Sequence, residues 1–109
     1  MDIIIQSPGF KASESLETYV REKLTKLNEH DSKIIRADVT LYLGPQSEQA
    51  NNYCEIRLEV PGADHFVKKN STTFEHSVIE SVEALHRMIQ KDKDKNIDRR
   101  HAENTITEQ

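Results

Sequence analysis

The chain has 109 residues, 35% of them apolar and 31% charged, with a formal net charge of −4. That length holds one hydrophobic core and excludes a second domain, while the single cysteine, Cys54, excludes an internal disulfide and any cysteine-pair metal knuckle. No apolar stretch approaches the length of a bilayer span, and Met1-Asp2-Ile3-Ile4-Ile5 is not how a secretory signal begins, so a cytoplasmic, reducing location is expected.

Ile3 and Ile5 alternate with Asp2 and Ile4, which predicts a short first strand ended by Pro8-Gly9. Ser13 then reads as an N-cap, with Glu14 and Glu17 near the positive end of a helix dipole. Leu16, Val20, Leu24 and Leu27 make one apolar stripe on a helix from about Ser13 to Glu29.

Ile35, Ala37, Val39, Leu41 and Leu43 alternate with polar residues and predict a long amphipathic strand stopped by Gly44-Pro45. After a polar hairpin loop, Gln46 to Asn52, the alternation resumes with Cys54, Ile56, Leu58 and Val60. Pro61-Gly62 predicts a turn into a fourth strand through Ala63, His65 and Val67. Strands joined this tightly pair antiparallel, because a parallel return needs a longer crossover.

A second helix begins near Thr72 or Thr73 and carries Phe74, Val78, Val82, Leu85 and Ile89 on one face. It is expected to run to about Lys93. Residues 1–95 thus form one domain, and 96–109, with few apolar anchors, are expected to be a flexible tail. The order β-α-β-β-β-α describes an α+β fold: a four-stranded, mostly antiparallel sheet with two helices on one face.

The charge is unevenly spread. Between Ala37 and Val67 Arg57 is the one basic residue against five acidic ones, whereas from Lys68 to His101 there are eight basic residues against six. On the second helix Arg87, Lys91 and Lys95 are spaced as a stripe away from the apolar face, with Lys93 in the same run, and long basic side chains so spaced can follow a phosphate backbone. Lys23 and Lys26 would extend the patch if the helices lie side by side; Lys23 is close enough to the apolar stripe that it would have to snorkel. The blander account of Lys91-Asp92-Lys93-Asp94-Lys95 is a solvated helix end whose cations complement the dipole.

Nothing in the chain predicts catalysis strongly. There is no nucleophile elbow, Gly-rich phosphate loop or His-Glu-x-x-His segment, and three glycines cannot build a phosphate cradle. His65, Glu75 and His76 are the loose candidates for a cleft enzyme, and no cofactor or metal is expected.

Four stretches carry a resemblance. They are Tyr19-Val20-Arg21-Glu22-Lys23-Leu24-Thr25-Lys26-Leu27 with His30 beyond it, the strands Ala37 to Leu43 and Cys54 to Val60, the Gly62-Ala63-Asp64 corner, and Val78, Val82, Leu85 and Arg87 followed by Lys91, Lys93 and Lys95. In order and spacing they resemble the short ribosome hibernation-promoting and ribosome-associated inhibitor family, the sigma-54 modulation or S30EA-type proteins, over about residues 1 to 95. The resemblance implies a fold like that of double-stranded RNA-binding domains. It also implies a non-catalytic translation inhibitor on the small ribosomal subunit and its ribosomal RNA, near the decoding region, occluding messenger and transfer RNA and protecting idle ribosomes. Lys23, Lys26, Arg87, Lys91, Lys93 and Lys95 would be its RNA-binding residues. Without the second domain of the long family form, any pairing of ribosomes would need another factor. Three departures stand out: Thr72-Thr73-Phe74-Glu75-His76-Ser77-Val78-Ile79 replaces the family's acidic pair, aromatic and Ala-Ala-Ile-Asp; the loop Gln46 to Asn52 has no basic residue; and Asp92 and Asp94 interrupt the lysines. The alternatives are an RNA- or protein-binding module of the same fold acting away from the ribosome, and the cleft enzyme.

Overall fold

A computed structural model describes the backbone of residues 1–30 and 33–108, and the side chains of residues 1–30 and 33–93. The elements are β1 (Asp2–Gln6), α1 (Glu14–His30), β2 (Arg36–Leu43), β3 (Asn52–Val60), β4 (Ala63–Ser71) and α2 (Phe74–Glu108). They build the expected α+β fold, with the strands in the spatial order β1-β2-β3-β4.

Helix α1 is the crossover that lets β1 lie parallel to β2, pairing Ile3 with Ala37 and Ile5 with Val39. The other two pairings are antiparallel hairpins, and the register places Val39 beside Ile56 and Ile56 beside Val67. Pro61-Gly62 closes the second hairpin in two residues, with Gly62 at φ 81 where a side chain would be strained.

Period-two alternation turns Ala37, Val39, Leu41, Cys54, Ile56 and Leu58 to one face, where all are buried. Both helices cover that face. The α1 stripe of Leu16, Val20, Leu24 and Leu27 is buried as predicted, and the Ser13 hydroxyl accepts from the Leu16 amide at 3.1 Å as the N-cap. Thr73 caps α2 in the same way, its Oγ1 accepting from the His76 amide at 3.1 Å. Phe10, from the loop before α1, stacks on Phe74 at 4.9 Å between ring centroids and pins the start of α2.

On α2 the buried stripe is not quite the apolar one. Val78, Leu85 and Ile89 are buried, but so are Ser77 and Ser81 at 0% exposure, whereas Val82 is only half-buried on the flank. The two serines satisfy themselves along the helix: Ser77 Oγ donates to the Phe74 carbonyl at 2.9 Å and Ser81 Oγ to the Ser77 carbonyl at 2.8 Å. Their small volume lets α2 lie close to the sheet.

The α2 backbone continues to Glu108, past the end expected near Lys93; residues 94–108 contain neither proline nor glycine to stop it. The flexibility expected of residues 96–109 and the placement of the Lys95 side chain fall outside the described residues. No helix among the described residues is long and apolar enough to cross a membrane.

Candidate nucleic-acid interface

Because α1 and α2 pack side by side on the sheet, their facing edges leave a groove on the outer side of the helix layer. Lys23, Lys26, Leu27 and His30 form one wall, Ile79, Val82, Glu83 and His86 the other, around a volume of about 250 Å³. Leu27 is the buried floor, and the partly buried Ile79 and Val82 keep apolar surface open to the groove.

The basic side chains are placed by helix geometry. Lys23 is half-buried, and its Nζ sits 5.3 Å from the Tyr19 ring centroid, so the stem lies along apolar surface while the charge stays at the rim. Lys26, one turn on from Glu22 and exposed, has its charge in solvent. Rings of His30 and His86 meet across the groove at 5.3 Å and 35°. Lys93 joins from α2: its Nζ donates to the His30 carbonyl at 3.3 Å, placing a cation at the negative end of α1.

Lys23 and Lys26 therefore line one groove, and Lys93 joins their cluster only through its bond to the carbonyl of His30, which lines the same groove. Arg87 and Lys91 are not part of that cluster. Both are exposed, but Arg87 follows His86 by about 100° around the helix and Lys91 lies one turn on from Arg87, so they occupy the flank turned away from α1. The alternating Lys-Asp run is also divided by the helix. Asp92 turns toward the sheet, where its Oδ2 lies 3.1 Å from His65 Nε2, so it does not sit among the groove lysines; Glu83 is the acid that does.

The opposite, uncovered face of the sheet has a different character. Tyr42 and Tyr53 stack at 5.1 Å, and Arg57 and Lys68 lie over Phe66 and Tyr53. Asp38, which accepts from Arg36 at 2.9 Å, shares the face with Glu55, Glu59 and Asp64. Burial, then a hydrogen bond to Glu55, push the Tyr42 phenol up to about 12. The Gln46 to Asn52 loop folds back on this side, the Tyr53 hydroxyl donating to Glu48 at 2.8 Å and Asn70 to the Ala50 carbonyl at 2.8 Å. This face therefore mixes Arg36, Arg57 and Lys68 with its carboxylates, and the groove with two lysines and one acid in its walls belongs to the helices.

The three catalytic candidates form no relay with one another. Ser71 Oγ and Glu80 Oε1 both approach Nδ1 of His76, the latter at 3.4 Å, whereas a proton relay needs partners on opposite ring nitrogens. His65 is engaged with Asp92, and Glu75 is exposed at the start of α2. Among the described residues no group of three His, Cys, Asp or Glu side chains could hold a metal ion.

The pairing of His30 with His86 was not legible in the sequence, where His30 stood only beside the α1 run, because the two are 56 positions apart and meet only when the helices dock.

Residues 3–97 match the family model described as sigma 54 modulation protein / S30EA ribosomal protein. Among solved structures, a ribosomal subunit interface protein from Coxiella burnetii is similar at 16% identity and a TM-score of 0.77, covering 86% of this chain and 99% of that one. The N-terminal domain of Protein Y from Thermus thermophilus is similar at 20% identity and a TM-score of 0.72, covering 84% of this chain and 98% of that one. At these identities the structural likeness shows the fold. No curated protein sequence matches the chain.

Proposed function

Because the chain belongs to the sigma 54 modulation protein / S30EA ribosomal protein family, we propose that it is a non-catalytic translation inhibitor that binds the small ribosomal subunit near the decoding region. In this reading the helix layer meets ribosomal RNA, and the body of the domain occupies space that messenger and transfer RNA would need. The observation that carries it is a local cluster of cations: Lys23 and Lys26 line the groove between the helices, where Glu83 is the one acid in the wall, and Lys93 reaches the His30 carbonyl at the end of α1. A chain of net charge −4 meets an anionic surface only through a local cluster of cations of this kind. Arg87, Lys91 and Lys95 would widen the contact along α2, touching phosphates rather than base edges, as duplex-like RNA requires.

Co-sedimentation with purified small subunits at rising potassium concentration tests this. Binding that is lost on addition of initiator transfer RNA supports it; no binding at low salt sinks it.

A second reading is favoured by the hairpin loop, which carries Glu48 and no cation and is fastened to the sheet by Tyr53 and Asn70. It is a module of the same fold that binds RNA or protein away from the ribosome. Binding to structured RNA with no preference for small subunits would favour it.

A further inference from the structure

The groove between α1 and α2 combines features that a phosphate backbone alone does not use. A bare anion would be drawn to Lys23 and Lys26 but would gain nothing from Leu27, Ile79 and Val82, and it would be repelled by Glu83. A purely apolar ligand would leave the lysines idle. A flat heteroaromatic group carrying one phosphate satisfies both sets. We propose that this groove is a seat for a single nucleotide, with the base lying on the apolar floor against the imidazoles and the phosphate held at the lysine rim.

The dimensions agree with one base rather than several. About 250 Å³ is below the roughly 300–1,000 Å³ of pockets that enclose a drug-sized ligand. His30 and His86 already touch at 5.3 Å, so a base stacks on the outer face of the pair and does not intercalate; unpaired bases stack on histidine as on other aromatic rings. Glu83, the acid in the wall, accepts the exocyclic amino group of adenine, cytosine or guanine and finds no such donor on uracil. The ligand is either an unstacked nucleotide of an RNA strand or a free mononucleotide, the first of which rests on the proposal that the helix layer meets RNA.

The test is a nuclear magnetic resonance titration of the full chain with 5′-AMP, 5′-UMP, inorganic phosphate and an octa-adenylate strand. AMP should shift the signals of Leu27, Val82 and His86 more strongly than UMP or phosphate. His86→Ala, a change at an exposed position, should weaken AMP about tenfold, as expected for loss of a stacking partner. Phosphate or UMP matching AMP would overturn the seat. Octa-adenylate shifts confined to Arg87 and Lys91 would also overturn it while leaving RNA binding intact. AMP in the groove without octa-adenylate binding would uphold the seat for a free nucleotide and count against the RNA reading.

Discussion

Lys93 Nζ lies 3.3 Å from the carbonyl oxygen of His30, so the last turn of α1 is capped by a side chain from α2. One lysine neutralises the end of a helix dipole and brings a cation to His30, a residue of the groove wall. The cationic surface is thus a product of helix docking and should respond to substitutions on both helices together.

Replacing Lys23 and Lys26 with glutamine removes two charges from the rim while keeping the stems. If both reach phosphates, the slope of log affinity against log salt for small subunits should fall by about two units on a duplex-like site. Thermal stability should change little, because Lys26 is exposed and the glutamine at 23 still packs along Tyr19. An unchanged slope, measured by pelleting at several potassium concentrations, would remove this face from the interface.

The two acids near the lysines should behave differently. Glu83→Gln takes a negative charge out of the groove and should raise RNA affinity several-fold at low salt, an effect that fades as salt screens it. Asp92→Asn should leave affinity nearly unchanged, because its carboxylate faces His65 on the sheet side, and should cost less than about 1 kcal/mol of stability as a half-exposed pair. Equal gains from both substitutions would show that position on the helix does not matter.

Leu58 and Leu85 are at 0% exposure in the centre of the core. Leu58→Ala or Leu85→Ala should each cost about 2–5 kcal/mol in urea unfolding. Val82→Ala, at the groove edge, should cost roughly 1 kcal/mol or less. A large loss at Val82 would mean that it closes the core rather than lining the groove.

Burial pushes the Cys54 thiol from 9.0 up to about 11, against a smaller lowering by its hydrogen bond to Ser81. The folded chain therefore holds its proton longer than the unfolded chain. Cys54 contributes its full stability below about pH 9, and that contribution is lost as pH rises toward about 11. Urea midpoints should fall across this window, and less so for Cys54→Ala compared with its own neutral-pH value. At neutral pH the native thiol should resist maleimide and react only as fast as the protein opens.

The strands, the α1 stripe and the Ser13 cap were legible because each is set by neighbours in sequence: side chains repeat every two residues on a strand and about every 3.6 on a helix. The same local rule placed Val82 in the core stripe of α2 and passed over Ser77 and Ser81. Hydropathy prices a buried serine as exposed, and does not register that each hydroxyl can donate to a carbonyl three or four residues back. The lysines were also visible as a set, but not their division. Lys23 and Lys26 line a groove and Lys93 reaches the His30 carbonyl, while Arg87 and Lys91 face away and Asp92 goes to His65, because the rotation of α1 and α2 about their axes is fixed by how both pack on one sheet. That rotation is a long-range packing result, so the chain's order and faces were determined by the sequence alone, and the groove with its paired histidines was decided only by the tertiary structure.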